Sequence, residues 1–121
     1  MKKVLAVVAA LVGLAVAPAA QAGCWATVKL SSLPHGLVWN VNVTPLQHGV
    51  TSLPDAKPRI EIRKGDGPWR VFAAKRTAKP GVFRAHVVFA TAGTWRFRVW
   101  DGFEPSCARY HTYAAVTIKA L

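Results

Sequence analysis

The side chains here with the chemistry to bind or react are four histidines, two cysteines and a set of alternating arginines. His35, His48, His86 and His111 stand far apart, and no two have the close spacing of a helix-borne or hairpin-borne metal site. Met1 is the one methionine, so a thioether Cu(I) site is excluded once the first residues are removed. A Cu(II) site would have to bring His48 and His111 together in space with a carboxylate such as Asp101. Copper is therefore the one cofactor to consider, and the default expectation is none. Of the five carboxylates only Asp101 and Glu104 are close in sequence. Ser31, Ser32, Ser52 and Ser106 lack the Gly-x-Ser-x-Gly turn that exposes a nucleophile. The composition predicts a protein that is not an enzyme.

The cysteines depend on the compartment. Met-Lys-Lys is followed by an uncharged apolar run, Val4 to Ala17, then Pro18 and Ala20-Gln21-Ala22. A basic start, a short apolar stretch and an Ala-x-Ala site read as a secretory signal peptide, residues 1–22. The run falls short of the roughly 20 residues needed to span a bilayer, which disfavours a retained anchor. Cleavage leaves 23–121 as one domain, secreted or periplasmic, with no transmembrane helix. In an oxidising compartment Cys24 and Cys107 are expected to pair. Such a bridge closes most of the chain into one loop, worth about 4 kcal/mol in the chain-entropy model. The alternative is lipidation of Cys24, since Ala22-Gly23-Cys24 resembles the end of a lipobox. Gln21, however, stands where such signals usually carry an apolar residue.

Charge then points to a partner. The formal net charge of +11 falls to +9 when Lys2 and Lys3 leave with the signal. An excess of this size attracts anions without fixing a fold. Outside the cytoplasm the candidates are an anionic envelope polymer, a lipid headgroup or an acidic protein surface, and nucleic acid is set aside. Arg59, Arg63, Arg96 and Arg98 alternate with apolar residues, and they share one outward face if their two strands are neighbours. Guanidinium groups grip phosphate or carboxylate through paired donors, and Trp100 adds an aromatic on the same side. The competing reading has the arginine stems covering apolar sheet surface with their heads in water.

The elements that must hold these residues are strands. Phe83, Ala85, Val87 and Phe89 share one face, as do Trp95, Phe97 and Val99, with Arg96 and Arg98 opposite. The pattern predicts two adjacent strands joined at Ala90-Thr91-Ala92-Gly93. Ahead of them it predicts Cys24 to Leu30, a turn over Ser31 to Gly36, and Leu37 to Thr44 stopped by Pro45. A long connection from Leu46 to Lys57 is expected to cross between sheets. Arg59 to Arg63 and Trp69 to Ala74 follow, joined by the hairpin signal Lys64-Gly65-Asp66-Gly67-Pro68. After a loop containing Cys107, the last strand is His111 to Lys119, with Tyr113 and Val116 on opposite faces. Seven short strands without helical periodicity predict an all-β, immunoglobulin-like sandwich.

Three blocks carry a resemblance to a known group: Leu46-Gln47-His48-Gly49 with its run to Pro58-Arg59-Ile60-Glu61-Ile62; Pro80-Gly81-Val82-Phe83-Arg84-Ala85; and Ala92-Gly93-Thr94-Trp95. In these the chain resembles the YtkA-like domains of bacterial envelope proteins, related to the FixH-like group. The resemblance implies an exported, non-enzymatic immunoglobulin-like domain, of a kind sometimes found beside copper-homeostasis proteins. It supplies no catalytic residues. The two cysteines and the arginine content are not features of that group.

Overall fold

Among the described residues the alternating segments form nine strands in two antiparallel sheets. The computed structural model describes residues 26–103 and 107–120. The strands are β1 (Ala26–His35), β2 (Val38–Gln47), β3 (Thr51–Ser52), β4 (Arg59–Arg63), β5 (Arg70–Ala73), β6 (Lys75–Arg76), β7 (Phe83–Val88), β8 (Gly93–Trp100) and β9 (Tyr110–Ile118). One sheet runs β1-β2-β7-β6, with β3 paired to the end of β2; the other runs β9-β8-β4-β5. These orders correspond to the A-B-E-D and G-F-C sheets of the immunoglobulin fold with an added C′ strand. The predicted signal peptide and Cys24 lie outside the described residues. Among the described residues no helix is long and apolar enough to cross a membrane.

The core is built from the inward positions of both sheets. Val41 and Val43 of β2 and Phe83, Ala85 and Val87 of β7 meet Ile60 and Ile62 of β4, Trp95, Phe97 and Val99 of β8, and Ile118 of β9. Phe89 sits between the sheets. Its ring meets Trp39 at 5.4 Å and Trp95 at 5.6 Å, both edge to face, an arrangement that adds to area burial. Each fully buried aliphatic or aromatic side chain contributes about 1.5–3 kcal/mol. Because Ile62 is fully buried, Ile62→Val is expected to cost about 1 kcal/mol. Urea denaturation would measure this as a lower midpoint at unchanged slope.

Four local expectations are corrected. The segments around Phe83–Phe89 and Trp95–Val99 are consecutive, yet they pair in different sheets: β7 with β2 and β6, β8 with β4 and β9. Both carry an apolar inward face, and the short link lets those faces oppose each other across the core. The turn expected over Ser31 to Gly36 is mostly strand, since β1 runs on to His35 opposite Val38. Pro34 is tolerated there because β1 is an edge strand. Pro45 does not stop β2, whose pairing with β7 ends at Val43 while that with β3 begins at Leu46. The missing amide of Pro45 falls in the gap between them. Finally, Tyr113 pairs with Phe97 and Val116 with Trp95. Ala114 and Ala115 thus oppose the single Arg96, and this bulge puts Tyr113 and Val116 on the same inward side. The crossing from β2 to β4 occurs as expected.

Candidate functional site

The outer face of the four-stranded sheet gathers most of the chain's assembled polar chemistry. Strands β4 and β8 are neighbours, and the register opposes Arg59 to Trp100, Glu61 to Arg98 and Arg63 to Arg96. The four predicted arginines therefore do share one outward surface. What the sequence reading missed is the carboxylate in their midst. Glu61 is an outward-pointing residue of a half-open sheet, yet it is only 2% exposed. Arg59 Nε donates to its Oε2 at 2.7 Å, and Arg98 donates to Oε1 through Nε at 2.9 Å and a terminal nitrogen at 2.7 Å. Tyr110 Oη donates to Oε2 at 3.1 Å. A terminal nitrogen of Arg59 lies 3.2 Å from the same hydroxyl.

Rings cover the guanidiniums in turn. The Arg98 guanidinium lies between Trp69 and Tyr110, 3.8 Å and 3.9 Å from the ring centroids. Arg59 lies 4.9 Å from the Trp100 centroid, Trp100 is 4.9 Å from Tyr110, and Arg63 is 5.3 Å from Trp69. The sequence Arg63, Trp69, Arg98, Tyr110, Trp100, Arg59 is thus a continuous ladder of cations and rings. Each partly desolvated cation–ring contact contributes about 1 kcal/mol. Trp69 reaches its place because the Lys64–Trp69 turn reverses the chain. Gly65 takes φ +58°, Gly67 N bonds Lys64 O at 3.1 Å, and the ring folds back over β4 and β8.

Opposing effects set the charge of this cluster. Burial pushes the Glu61 carboxyl up, but hydrogen bonds from Arg59, Arg98 and Tyr110 outweigh it and hold the group below the usual carboxylate range. Glu61 in turn raises Arg59. Arg59 and Arg98 are therefore largely committed to an internal anion. Among the described residues Arg63 has one carboxylate near it, Asp66 at 4.0 Å, whose side chain is fully exposed. Its Nε is buried without a hydrogen-bond partner. Arg96 is exposed.

The histidines are placed separately. His111 Nε2 lies 2.8 Å from Asp101 Oδ2, while Asp101 Oδ1 accepts from the amides of Phe103 and Arg109 at 2.9 and 3.2 Å. Asp101 is completely buried, so the pair closes the loop after β8 and spends the carboxylate on backbone donors. His48 lies in the turn after β2 with φ +53°. His86 pairs with Asn40 across β7 and β2 at 3.0 Å. Among the described residues no group of three or more His, Cys, Asp or Glu side chains converges on one point. His48, His111 and Asp101 are thus not assembled as a three-ligand set. Cys107 is disulfide-bonded; its expected partner Cys24 lies outside the described residues.

Two further concavities, among several on the surface, are less specific. One, of about 400 Å³, opens along the seam between β1 and β9 and is lined by Leu30, Trp39, Val41, Phe97, Tyr113 and Val116. The other is capped by Phe103 against Leu53 and Ala56. No lining residue of the first carries a charge. Compared with known proteins, the chain matches no family model, no curated protein and no solved structure.

Proposed function

We propose that this chain is an exported, non-enzymatic immunoglobulin-like module that holds an acidic polysaccharide of the cell envelope on the outer face of its four-stranded sheet. The observation that carries this reading is the ladder of guanidiniums and aromatic rings. With Arg96 on the same face beside the three arginines of the ladder, four arginines stand against two carboxylates among the described residues, Glu61 and Asp66, and Tyr110 is 42% exposed at the rim. Such a face offers positive potential for acidic groups and flat rings for the apolar faces of sugar rings. A lipid headgroup suits it less, because the other large exposed apolar residues, Leu33, Val50 and Val88, lie away from it and only Val71 accompanies Tyr110. The resemblance to YtkA-like domains points the same way in compartment and in the lack of catalysis.

The test is equilibrium binding of the purified protein to polygalacturonate, with a neutral glucan as control and anionic lipid vesicles as competitor. Affinity for the polyuronate is expected to fall about tenfold between about 0.01 M and about 0.15 M ionic strength, because the Debye length shrinks from about 30 Å to 8 Å. Equal binding to the neutral glucan, or affinity indifferent to salt, would defeat the proposal. Vesicles that displace the polymer at equal charge concentration would move the ligand to the membrane.

A further inference from the structure

The four arginines are not equivalent, and the difference locates an anion subsite. Arg59 and Arg98 already bind Glu61. Arg63 and Arg96 stand directly opposite each other on β4 and β8, on the outward face. Like charges at directly opposed positions destabilise a sheet. A buried guanidinium donor left without an acceptor adds to that cost. Both features occur at one spot, since Arg63 Nε has no partner. The nearest carboxylate among the described residues, Asp66, is fully exposed and 4.0 Å from another nitrogen of the same side chain. Trp69 backs the Arg63 guanidinium at 5.3 Å and limits its freedom to swing away.

We infer that Arg63 and Arg96 form a clamp for a single oxyanion: the carboxylate, sulfate or phosphate group of the bound polymer. One oxygen accepts from the terminal N–H groups of Arg63 and another from Arg96, which removes the repulsion between the two opposed charges. The polymer as ligand rests on the function proposed above; the clamp itself does not. In this arrangement Glu61 neutralises the inner pair so that the acidic group is directed to the outer pair.

The clamp is tested without any polymer by following the arginine Nε–H resonances during titration with inorganic sulfate. The Arg63 Nε–H is expected to shift saturably while those of Arg59 and Arg98 stay in place. Arg96→Gln weakens the response about tenfold, and in Arg63→Lys, which keeps the charge and loses the fork, the sulfate-induced shift of the Arg96 Nε–H is abolished. Lys29→Gln on the opposite sheet removes the same charge and is expected to change it less than twofold. An Arg63 resonance indifferent to sulfate, or an equal loss in Lys29→Gln, overturns the clamp. A saturable sulfate response in a protein that binds no polyuronate upholds the clamp and defeats the polysaccharide reading. Polyuronate binding unaffected by Arg63→Lys and Arg96→Gln does the reverse.

Discussion

Glu61→Gln is expected to lower the stability of this domain by about 3 kcal/mol at neutral pH, one of the two largest single-residue effects proposed for it. Removing one partner of a buried ion pair costs about 3–5 kcal/mol, because the remaining charges stay desolvated and unmatched. The lower end applies here, since the side chains of Arg59 and Arg98 remain 36% and 24% exposed while Glu61 is 3% exposed. Gln keeps the shape and one acceptor, so the loss reports on charge and not on a cavity. Urea denaturation of the two proteins measures it, and a difference below about 0.5 kcal/mol, the scatter of ordinary surface substitutions, would refute it.

The same substitution predicts a pH dependence. The Glu61 carboxyl is held below its ordinary value in the folded protein, so its contribution is fully present above the unfolded value of about 4.3. That contribution is lost as pH falls through the lower folded value. Since Gln mimics the protonated acid, the gap between wild type and Glu61→Gln is expected to narrow below about pH 4. Replacing the trio together, as Arg59→Leu, Glu61→Met and Arg98→Leu, should recover much of the stability lost by Glu61→Gln alone.

Gly102→Ala should cost at least as much, about 3 kcal/mol or more, for a different reason. Gly102 is buried at φ +69°, and a Cβ there would collide with the backbone of Lys57. The contact is real backbone packing, because Lys57 N donates to Gly102 O at 3.1 Å. Backbone strain at a left-handed residue costs about 1–2 kcal/mol by itself, and neither backbone can yield without disturbing Asp101, which is fully buried next to it. Gly65→Ala separates the two costs: Gly65 has φ +58° with no atom near the added carbon. It should lose only the strain, about 1–2 kcal/mol. Equal losses for the two variants in guanidinium unfolding would show that the Lys57 contact contributes nothing.

The fold was legible where period-two alternation ran undisturbed. Val41 and Val43, Ile60 and Ile62, and Phe83, Ala85, Val87 and Phe89 all face inward as their spacing requires, and the all-β sandwich follows from them. Pairing was harder to read, because alternation fixes which face a strand buries and not which neighbour it takes. Thus β7 and β8, joined by a short link, look like a hairpin and are instead split between sheets. The bulge in β9 shifts the pattern by one residue, which no single-sequence periodicity can anticipate. At the candidate site the alternation of Arg59, Glu61 and Arg63 correctly placed all three outward. That Glu61 is nonetheless buried goes with Tyr110, which bonds it from a distant strand, and with Trp69, which comes from a turn to cover its partner Arg98. A signal was present, for one acid flanked by arginines at alternate positions and facing a third needs charge balance.

The margins of the two sheets carry a consequence for how copies of this domain meet one another. An unpaired strand margin invites another chain to dock its backbone, yet each of the four among the described residues is spoiled in its own way. Strand β1 includes Pro34 and the exposed Lys29; β9 is kinked by its bulge; β5 is four residues long and begins with Arg70; β6 is two residues, both cationic. The molecule is thereby poorly suited to growing into fibres, and it can be concentrated on a surface without its copies zipping together.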